Sequence, residues 1–295
     1  MPPHVCNAVT KVSEFTRPIS FITRFYGSTE IQPGNATLFF VNAEGWALTC
    51  RHVLDEILVS DKIAARKTAF QSDIAAIKGK PSRNAVKQVA KKYQLDSQPV
   101  LEQLVRFEGC VDALTGFDFH RHDTLDIALL HFKGYSKLLC SQFPVFAANG
   151  AELQAGKMLC RLGFPFPEFS NFTYDAGKDA IEWTSTGSTN IPRFPIDGML
   201  SRLVADGKKI VGFELTTPGL RGQSGGPAFD SEARIWGMQS QTCHLDLNFD
   251  VAQDVFRQGK KKKITSFPFL HAGRCVHVDA LKDFMRKHGV SFVEG

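Results

Sequence analysis

The stretch Gly222-Gln223-Ser224-Gly225-Gly226-Pro227 places one serine among glycines. Glycine allows tight turns and close backbone approaches that other residues exclude. Such a turn exposes the serine hydroxyl and leaves the N–H groups of Gly222 and Ser224 free to bind a developing oxyanion. Serine is a poor nucleophile at neutral pH and needs a base that a third group orients. The stretch is therefore either a nucleophile loop or an ordinary glycine-rich loop, and the rest of the chain must decide.

Two other stretches supply a histidine and a carboxylate. Gly45-Trp46-Ala47-Leu48-Thr49-Cys50-Arg51-His52 reads as an apolar strand that ends at a histidine, and Asp126-Ile127-Ala128-Leu129-Leu130 begins an apolar strand with an aspartate. Both resemble motifs of the chymotrypsin/trypsin-like serine proteases, and the serine stretch is similar to their nucleophile loop. The order His, Asp, Ser is also the chymotrypsin order, which differs from the subtilisin and α/β-hydrolase orders. Three motifs in this order identify the family.

The resemblance covers about residues 17–54 and 110–281 and implies an all-β, chymotrypsin-like double antiparallel β-barrel. Residues 1–145 would form the barrel that carries His52 and Asp126, and residues 146–295 the barrel that carries Ser224. Gly163-Phe164-Pro165 is similar to a turn of bacterial HtrA-like peptidase domains. The resemblance implies a Ser-His-Asp endopeptidase, with an oxyanion hole at Gly222 and Ser224 and a protein or peptide as substrate.

Two residues compete with those assignments. Asp123 lies three residues before Asp126, but only Asp126 directly precedes the apolar strand, so Asp123 is expected in a turn. Cys50 lies two residues before His52 and raises a cysteine–histidine alternative. Because the glycine-flanked position holds a serine, Cys50 is interpreted as a small buried residue.

The spacing between the motifs predicts an insertion. His52 and Asp126 are 126 − 52 = 74 residues apart. Val86, Val89, Ala90 and Tyr93 have helical spacing, so we expect a helical insertion at about residues 56–105, with a second helical or extended piece near Leu101. It is either a solvated helix pair or a docking element for a regulatory protein beside the cleft. A C-terminal helix is predicted at Asp279–His288.

Substrate preference depends on the residues around the serine. Trypsin-like enzymes that cleave after Lys or Arg carry an aspartate six residues before the serine, where this chain has Pro218. The other expected walls are Ser240, Gln241 and Thr242, with the strand near Gly273-Arg274-Cys275. We therefore expect poor cleavage after Lys and Arg. Arg274 either faces solvent or faces the pocket and favours an acidic residue.

Activation depends on the residue before the nucleophile. In the digestive relatives an aspartate there pairs with a new N-terminal ammonium, whereas this chain has the neutral Gln223. The nearest match to a cleavage site, Arg17-Pro18-Ile19-Ser20, contains a proline that blocks it. An enzyme made without a zymogen step is expected.

Composition narrows the remaining classes. The net charge of +5 is mild, and the basic run Lys260–Lys263 is expected to be a solvated loop, so no nucleic-acid partner is expected. The 7 cysteines are scattered without a C-x-x-C pair, which suggests neither a zinc site nor a disulfide framework. No cofactor or metal is expected. The start Met1-Pro2-Pro3-His4 lacks a signal sequence, and no run is long enough to span a membrane, so a cytoplasmic protein without a membrane partner is predicted.

Two alternatives to a protease stay open at this point. The same groups cleave esters, which would make the protein an esterase-like acyl hydrolase. The fold could also serve as a catalytically silent binding module.

Overall fold

The computed structural model describes residues 3–79, 81–257 and 259–295. Met1 and Pro2, on which the expectation about a signal sequence partly rests, lie outside the described residues. The N-terminal half contains α1 (Pro3–Ser13), β1 (Thr16–Phe25), β2 (Ile31–Phe40), β3 (Trp46–Thr49), α2 (Arg51–Ala75), α3 (Arg83–Lys92), β4 (Val100–Phe107), β5 (Gly116–Arg121) and β6 (Ala128–Lys133). Its 6 strands form one antiparallel sheet in the order β4-β1-β2-β3-β6-β5.

The C-terminal half builds a second sheet that closes on itself. It contains β7 (Val145–Phe146), a 3₁₀ turn (Gly150–Glu152), β8 (Met158–Gly163), β9 (Phe172–Asp175), β10 (Ala180–Trp183), β11 (Phe194–Asp206), β12 (Lys209–Leu215), β13 (Pro227–Phe229), β14 (Arg234–Asp246), β15 (Val251–Arg257), β16 (Lys260–Ser266), β17 (Phe269–His277), α4 (Val278–Lys287) and β18 (Val293–Glu294). The strand order β13-β8-β11-β12-β17-β14 is closed by pairing of β14 with β13. Parallel pairs add the short strand β7 beside β14 and β18 beside β7. The predicted all-β fold with two curled antiparallel sheets is confirmed.

The strands form where β-branched and aromatic residues pack on both faces of a sheet. Ile19 and Ile22 of β1 are fully buried on opposite faces. One continuous core joins the two sheets: the rings of Phe39 from β2 and Phe146 from β7 lie 6.4 Å apart. Because this core lies between the sheets, it fixes the loops that meet at their junction.

The helical insertion is present, but its bounds differ from the predicted 56–105. Its helices are α2 and α3, and Val100–Phe107 is instead strand β4 at the edge of the first sheet, paired with β1. Phe70 of α2 packs edge-on against Tyr26 and Tyr93. Lys67 of α2 bonds the Glu102 carboxylate, which Arg24 also contacts at 2.5 Å. The insertion is therefore tied to the first sheet by an apolar cluster and by buried charges.

Two local predictions were wrong. His52 was expected at a strand end, but β3 stops at Thr49 and His52 lies in the first turn of α2. Lys260–Lys263 was expected to be a loop, but these residues lie in β16, which pairs with β15. Asp254 offsets part of the charge of that strand through a 2.7 Å ion pair with Lys261.

The C-terminal helix is confirmed as α4. The His277 side chain caps its start by accepting from the Asp279 N–H, and Gly289 follows its end with a positive φ of 67°. Among residues 3–79, 81–257 and 259–295, no helix is both long and apolar enough to cross a membrane.

Candidate active site

Ser224 lies in the turn between β12 and β13, and its neighbours must be glycines. Gly222 and Gly225 have φ angles of 95° and 89°, in the left-handed region. A Cβ added at Gly225 would meet the Thr37 carbonyl oxygen at 2.0 Å, and one at Gly222 would meet that of Phe164 at 2.6 Å. The close packing of this turn on both sheets therefore requires the glycine pattern read in the sequence.

Thr37 of β2 attaches the turn to the first sheet. Its hydroxyl donates to the Gly222 carbonyl at 2.7 Å, and its N–H donates to the Ser224 carbonyl at 3.0 Å. The Phe164 N–H donates to the same hydroxyl at 3.3 Å. Thr37 is fully buried, so these bonds are shielded from water. The sequence analysis missed this residue, because nothing local in β2 marks it.

Gln223 holds the other side of the turn. Its side-chain oxygen accepts from the Leu220 N–H at 3.0 Å, and its side-chain nitrogen donates to the Phe194 carbonyl at 3.2 Å. The residue is fully buried. Within the described part of the chain, the N–H groups of Gly222 and Ser224 donate no hydrogen bond. These two amides thus have the free capacity that an oxyanion hole requires.

The histidine and the aspartate are brought together across the end of the first sheet. His52 Nδ1 lies 2.8 Å from Asp126 Oδ2, and the His52 backbone N–H donates to Asp126 Oδ1 at 3.0 Å. Ser240 donates its hydroxyl to Asp126 Oδ2 at 2.6 Å. The carboxylate therefore fixes both the ring and the backbone of His52, and a residue of β14 holds the carboxylate in turn.

The charges of this pair stabilise each other. The hydrogen bond to Asp126 raises the pKa of His52 above its ordinary value, although burial opposes the rise. Burial alone would raise the pKa of Asp126, but hydrogen bonds from His52 and Ser240 overcome it and lower that pKa to about 2. Asp126 is thus an anion at neutral pH, and it favours the imidazolium that forms when His52 takes a proton.

Ser224 and His52 line the same cleft of about 420 Å³, together with Gly222, Glu56 and Pro165. Among the described residues no hydrogen bond joins the two side chains; Ser224 Oγ instead donates to the Ser240 carbonyl at 3.2 Å. Catalytic hydrogen bonds are often long in unliganded proteins. The structure brings His52 and Ser224 to one cleft, with Asp126 bonded to His52, and makes one of the two hydrogen bonds expected among the three residues.

Neither Asp123 nor Cys50 has the contacts that a role in the catalytic group would require. Asp123 contacts Arg51 through its backbone carbonyl at 2.7 Å, whereas it is Asp126 that bonds His52. Cys50 is buried behind the pair, with Sγ 3.2 Å from the Gln239 carbonyl oxygen. Burial, and then the charge of Asp126, raise the pKa of the Cys50 thiol well above its usual value. The donor atoms of Cys50, His52 and Asp126 lie within 4.8 Å of one another, but a protonated thiol is a poor metal ligand.

One of the predicted pocket residues, Pro218, contacts a side chain that the sequence analysis did not single out. Ser240, Gln241 and Thr242 lie on β14, and Thr242 bonds the Gly219 carbonyl at 2.6 Å, beside Pro218. The buried guanidinium of Arg161 from β8 bonds the Pro218 carbonyl at 3.2 Å. The sequence does contain a signal for this residue, because Arg161 is a charged residue within the apolar run Met158–Leu162.

Arg274 does not offer a free charge to this pocket. It donates to the Glu214 carboxylate at 2.6 Å, and Arg202 pairs with the same group at 2.5 Å. These bonds, led by that of Arg202, lower the pKa of Glu214 to about 2. Arg274 is thus held in an ion pair in which one carboxylate is shared by two guanidinium groups, and a preference for an acidic substrate residue through Arg274 stays a prediction.

The closed second barrel, the first sheet and the cleft at their junction define the trypsin fold. Residues 36–238 match the model of the trypsin-like peptidase domain, which is more than half of the chain. The chain belongs to the trypsin-like peptidase family. No curated protein has a sequence that matches this chain significantly.

Three solved structures of similar fold are distant in sequence. The HtrA-type protease AlgW with a decapeptide is 12% identical with a TM-score of 0.49, covering 97% of this chain and 68% of that one. A variant of AlgW with a tripeptide is 12% identical with a TM-score of 0.47. The match covers 97% of this chain and 64% of the AlgW chain, so this chain spans about two thirds of the length of AlgW. The Rv3671c protease from M. tuberculosis in its active form is 12% identical with a TM-score of 0.46, and the match covers 100% of this chain and 90% of that one.

Proposed function

We propose that the protein is a serine endopeptidase that hydrolyses peptide bonds through Ser224, His52 and Asp126. The observation that carries this proposal is that His52, which lies 2.8 Å from Asp126, lines the same cleft as Ser224. A base oriented by a partly buried carboxylate beside a glycine-flanked serine is what acyl transfer needs.

In the acylation step, Ser224 Oγ turns from the Ser240 carbonyl toward His52 and attacks the substrate carbonyl carbon. His52 Nε2 takes the hydroxyl proton, since Nδ1 is committed to Asp126. The C=O electron pair moves onto oxygen, and the amides of Gly222 and Ser224 bind that anion. The C–N bond then breaks, and His52 Nε2 gives its proton to the leaving amine.

Deacylation repeats the sequence with water. His52 Nε2 removes a proton from water, whose oxygen attacks the acyl-enzyme carbonyl. The Ser224 Oγ–C bond breaks, and the proton returns to Ser224. Asp126 stays ionised throughout, because its pKa is about 2. Apart from the substrate and water, all groups in this scheme belong to the protein, so the scheme calls for no cofactor.

We also propose that activity needs no zymogen cleavage. Two observations support this. The hydrogen bonds of the Gln223 side chain to Leu220 and Phe194 hold the nucleophile turn in place. In digestive relatives a new N-terminal ammonium orders this turn. The nearest cleavage match lies within β1, where Pro18 pairs with Thr37 and Ile19 is fully buried, so a terminus made there could not swing free.

A regulatory partner at the helical insertion belongs to the same proposal. His52 lies in the first turn of α2, and Glu56, one turn later, lines the cleft. A protein that binds α2 would thus act directly on the helix that carries the base. A reducing, cytoplasmic compartment is proposed as well, on the ground that all 7 cysteines, each within the described residues, are free thiols.

The decisive experiment combines labelling with digestion. The intact chain, with its N-terminal sequence verified, is treated with a fluorophosphonate and then incubated with a proteome-derived peptide library. We expect labelling of Ser224 and cleavage of peptides before any proteolytic processing. Ser224→Ala, His52→Ala and Asp126→Asn should each remove most activity and combine non-additively, because they act as one unit.

Other outcomes would select other functions. Labelling with ester hydrolysis but without peptide cleavage would indicate an acyl hydrolase. No labelling at all, in a folded protein, would indicate a silent binding module. Activity that appears only with a new N-terminus near residue 19 would overturn the zymogen-free proposal, and activity that appears only with an added protein would support partner control.

A further inference from the structure

The cleft that holds His52 and Ser224 extends beyond these two side chains. Its volume is about 420 Å³, and much of its wall comes from β1, β2 and the start of α2. The apolar part of its lining includes Phe21, Phe25, Pro33, Val100, Pro165 and Pro167. The catalytic scheme assigns no role to this part of the cleft, so it is open to the substrate chain on one side of the scissile bond.

The chemistry of acylation decides which side of the substrate lies there. His52 Nε2 gives its proton to the leaving amine, so the leaving nitrogen must come within hydrogen-bond distance of this atom. The amides of Gly222 and Ser224 hold the carbonyl oxygen, which belongs to the other side of the scissile bond. The substrate residues that follow the scissile bond therefore start at His52 and continue past the residues that adjoin it in the cleft.

Glu56 is the residue of α2 that adjoins His52 in this direction. The two are four residues apart, which places them on one face of the helix with a rise of about 6 Å between them, and both line the cleft. The hydrogen bond to Asp126 is the main cause of the raised pKa of His52, and the charge of Glu56 adds to it. The Gln103 side chain donates to the Glu56 backbone carbonyl at 3.3 Å, which ties this turn of α2 to β4.

The Glu56 carboxylate is exposed and lacks a counter-charge. In the part of the chain that the structure describes it forms no ion pair, whereas its neighbour Asp55 pairs with Arg121 at 2.6 Å. Among the described residues that line the cleft, Glu56 supplies the one carboxylate and Arg221 the one arginine. Arg221 directly precedes Gly222 and so belongs to the nucleophile turn. The negative charge of the cleft thus lies on the helix of the base, beside the leaving group.

We propose that Glu56 determines specificity by selecting Lys or Arg at one of the first two positions after the scissile bond. This rests on the proposed endopeptidase function. An extended peptide advances about 3.3 Å per residue, so two residues span the rise from His52 to Glu56. The apolar stem of Lys or Arg packs on the lining near Phe25 and Val100 while its charged end reaches the carboxylate.

The test starts from a peptide that the protein cleaves in the library digest. Versions of this peptide carry Lys, Arg, Gln, Leu or Glu at the first or the second position after the scissile bond. At one of these positions we expect kcat/KM for the Lys or Arg version to exceed that for the Gln version by about three- to fivefold, the upper range for an exposed ion pair. The gain should shrink at high salt, because exposed charges are screened. Equal rates for Lys and Gln at both positions, or a gain that salt leaves unchanged, would overturn the proposal.

Variants of α2 assign the effect to Glu56. Glu56→Gln should lose the Lys-to-Gln ratio, and Glu56→Lys should favour the Glu version instead. The ratio compares two substrates of one variant, so a change in the basicity of His52 cancels. Asp61→Asn is the matched control, since it removes the same charge from an exposed position of α2 that does not line the cleft. An unchanged ratio in Glu56→Gln, or an equal loss in Asp61→Asn, would contradict the assignment.

Failure of the proposed function gives a different result. Fluorophosphonate labelling of Ser224 needs no basic side chain and reports the nucleophile alone. NMR titration of the His52 ring in Ser224→Ala with the tripeptide amides Lys-Ala-Ala and Ala-Lys-Ala, and with their Gln counterparts, reports the leaving-group side of the cleft alone. Loss of labelling with tighter binding of a Lys tripeptide would refute the endopeptidase and keep the Glu56 site. Labelling with equal binding of the Lys and Gln tripeptides would do the reverse.

Discussion

Ser240 donates its hydroxyl to Asp126 Oδ2 over 2.6 Å, and that oxygen is also the one that lies 2.8 Å from His52 Nδ1. The backbone carbonyl of the same Ser240 accepts a hydrogen bond from Ser224 Oγ. Ser240 thus contacts both Asp126 and Ser224. It lies on β14 of the second barrel, whereas His52 and Asp126 come from the first half of the chain. The position of β14 therefore sets the alignment of the two halves.

Ser240→Ala should lower kcat/KM about tenfold. It removes one of the bonds that hold the Asp126 carboxylate, and a hydrogen bond to a charged group contributes about 1.5–3 kcal/mol. The backbone carbonyl that accepts from Ser224 remains. Steady-state kinetics on a peptide that the wild type cleaves measures the effect. Ser136→Ala, an exposed serine, is the matched control, and equal kinetics in both variants would show that the Ser240 hydroxyl has no positioning role.

The acid limb of kcat/KM should have its midpoint above the ordinary pKa of histidine. His52 must be neutral to act as base, and its hydrogen bond to Asp126 raises its pKa. Activity is therefore full at pH values above the raised pKa and falls as the pH drops through it. Asp126, with a pKa of about 2, stays ionised over this range. In Asp126→Asn the midpoint should move to lower pH, while the maximal rate falls about 10⁴-fold, as in other triads.

NMR titration of the His52 ring in the Ser224→Ala background gives the same midpoint without turnover. A midpoint at or below the ordinary histidine value, or an upward shift in the asparagine variant, would contradict the assigned pairing.

Thr37→Val should destabilise the protein by about 2 kcal/mol and reduce labelling of Ser224. The change keeps the shape of the side chain but leaves the buried Gly222 carbonyl and Phe164 N–H without their partner, and each unsatisfied group costs about 1–3 kcal/mol. Urea unfolding measures the free energy. Thr173→Val, at an exposed strand position, should leave both readouts unchanged. Equal stability of the two variants would mean that Thr37 does not hold the nucleophile turn.

Cys50→Ala should keep most of the peptidase activity. Burial, followed by the charge of Asp126, raises the pKa of its thiol, so Cys50 is neither a nucleophile nor a ready target for alkylation. Iodoacetamide should modify the exposed Cys6 well before Cys50, as mass spectrometry of digests can show. If the enzyme lost activity in parallel with alkylation of Cys50, and if Ser224→Ala remained active, the cysteine–histidine alternative would be supported instead.

The predictions from local sequence were wrong at two places where the signals for a helix start or a strand are weak. The start of α2 lacks a capping serine, threonine, aspartate or asparagine; its N-cap is Cys50, which makes no side-chain cap bond. The strand was therefore read through to His52. Likewise, four consecutive lysines have little strand propensity, and β16 forms through its pairing with β15 around the turn at Gly259, whose φ is 75°.

By itself the sequence determined the family, the order of the three motifs and the turn that carries Ser224. These depend on residues adjacent in the chain, such as the glycines that a positive φ requires at positions 222 and 225. Only the tertiary structure decided that Ser240 holds Asp126, that Thr37 holds the turn, and that the Arg161 guanidinium is buried against Gln239. Those contacts join residues between 78 and 185 positions apart. No local pattern specifies them, because they arise only when the strands of two closed sheets are brought into register and packed on one core.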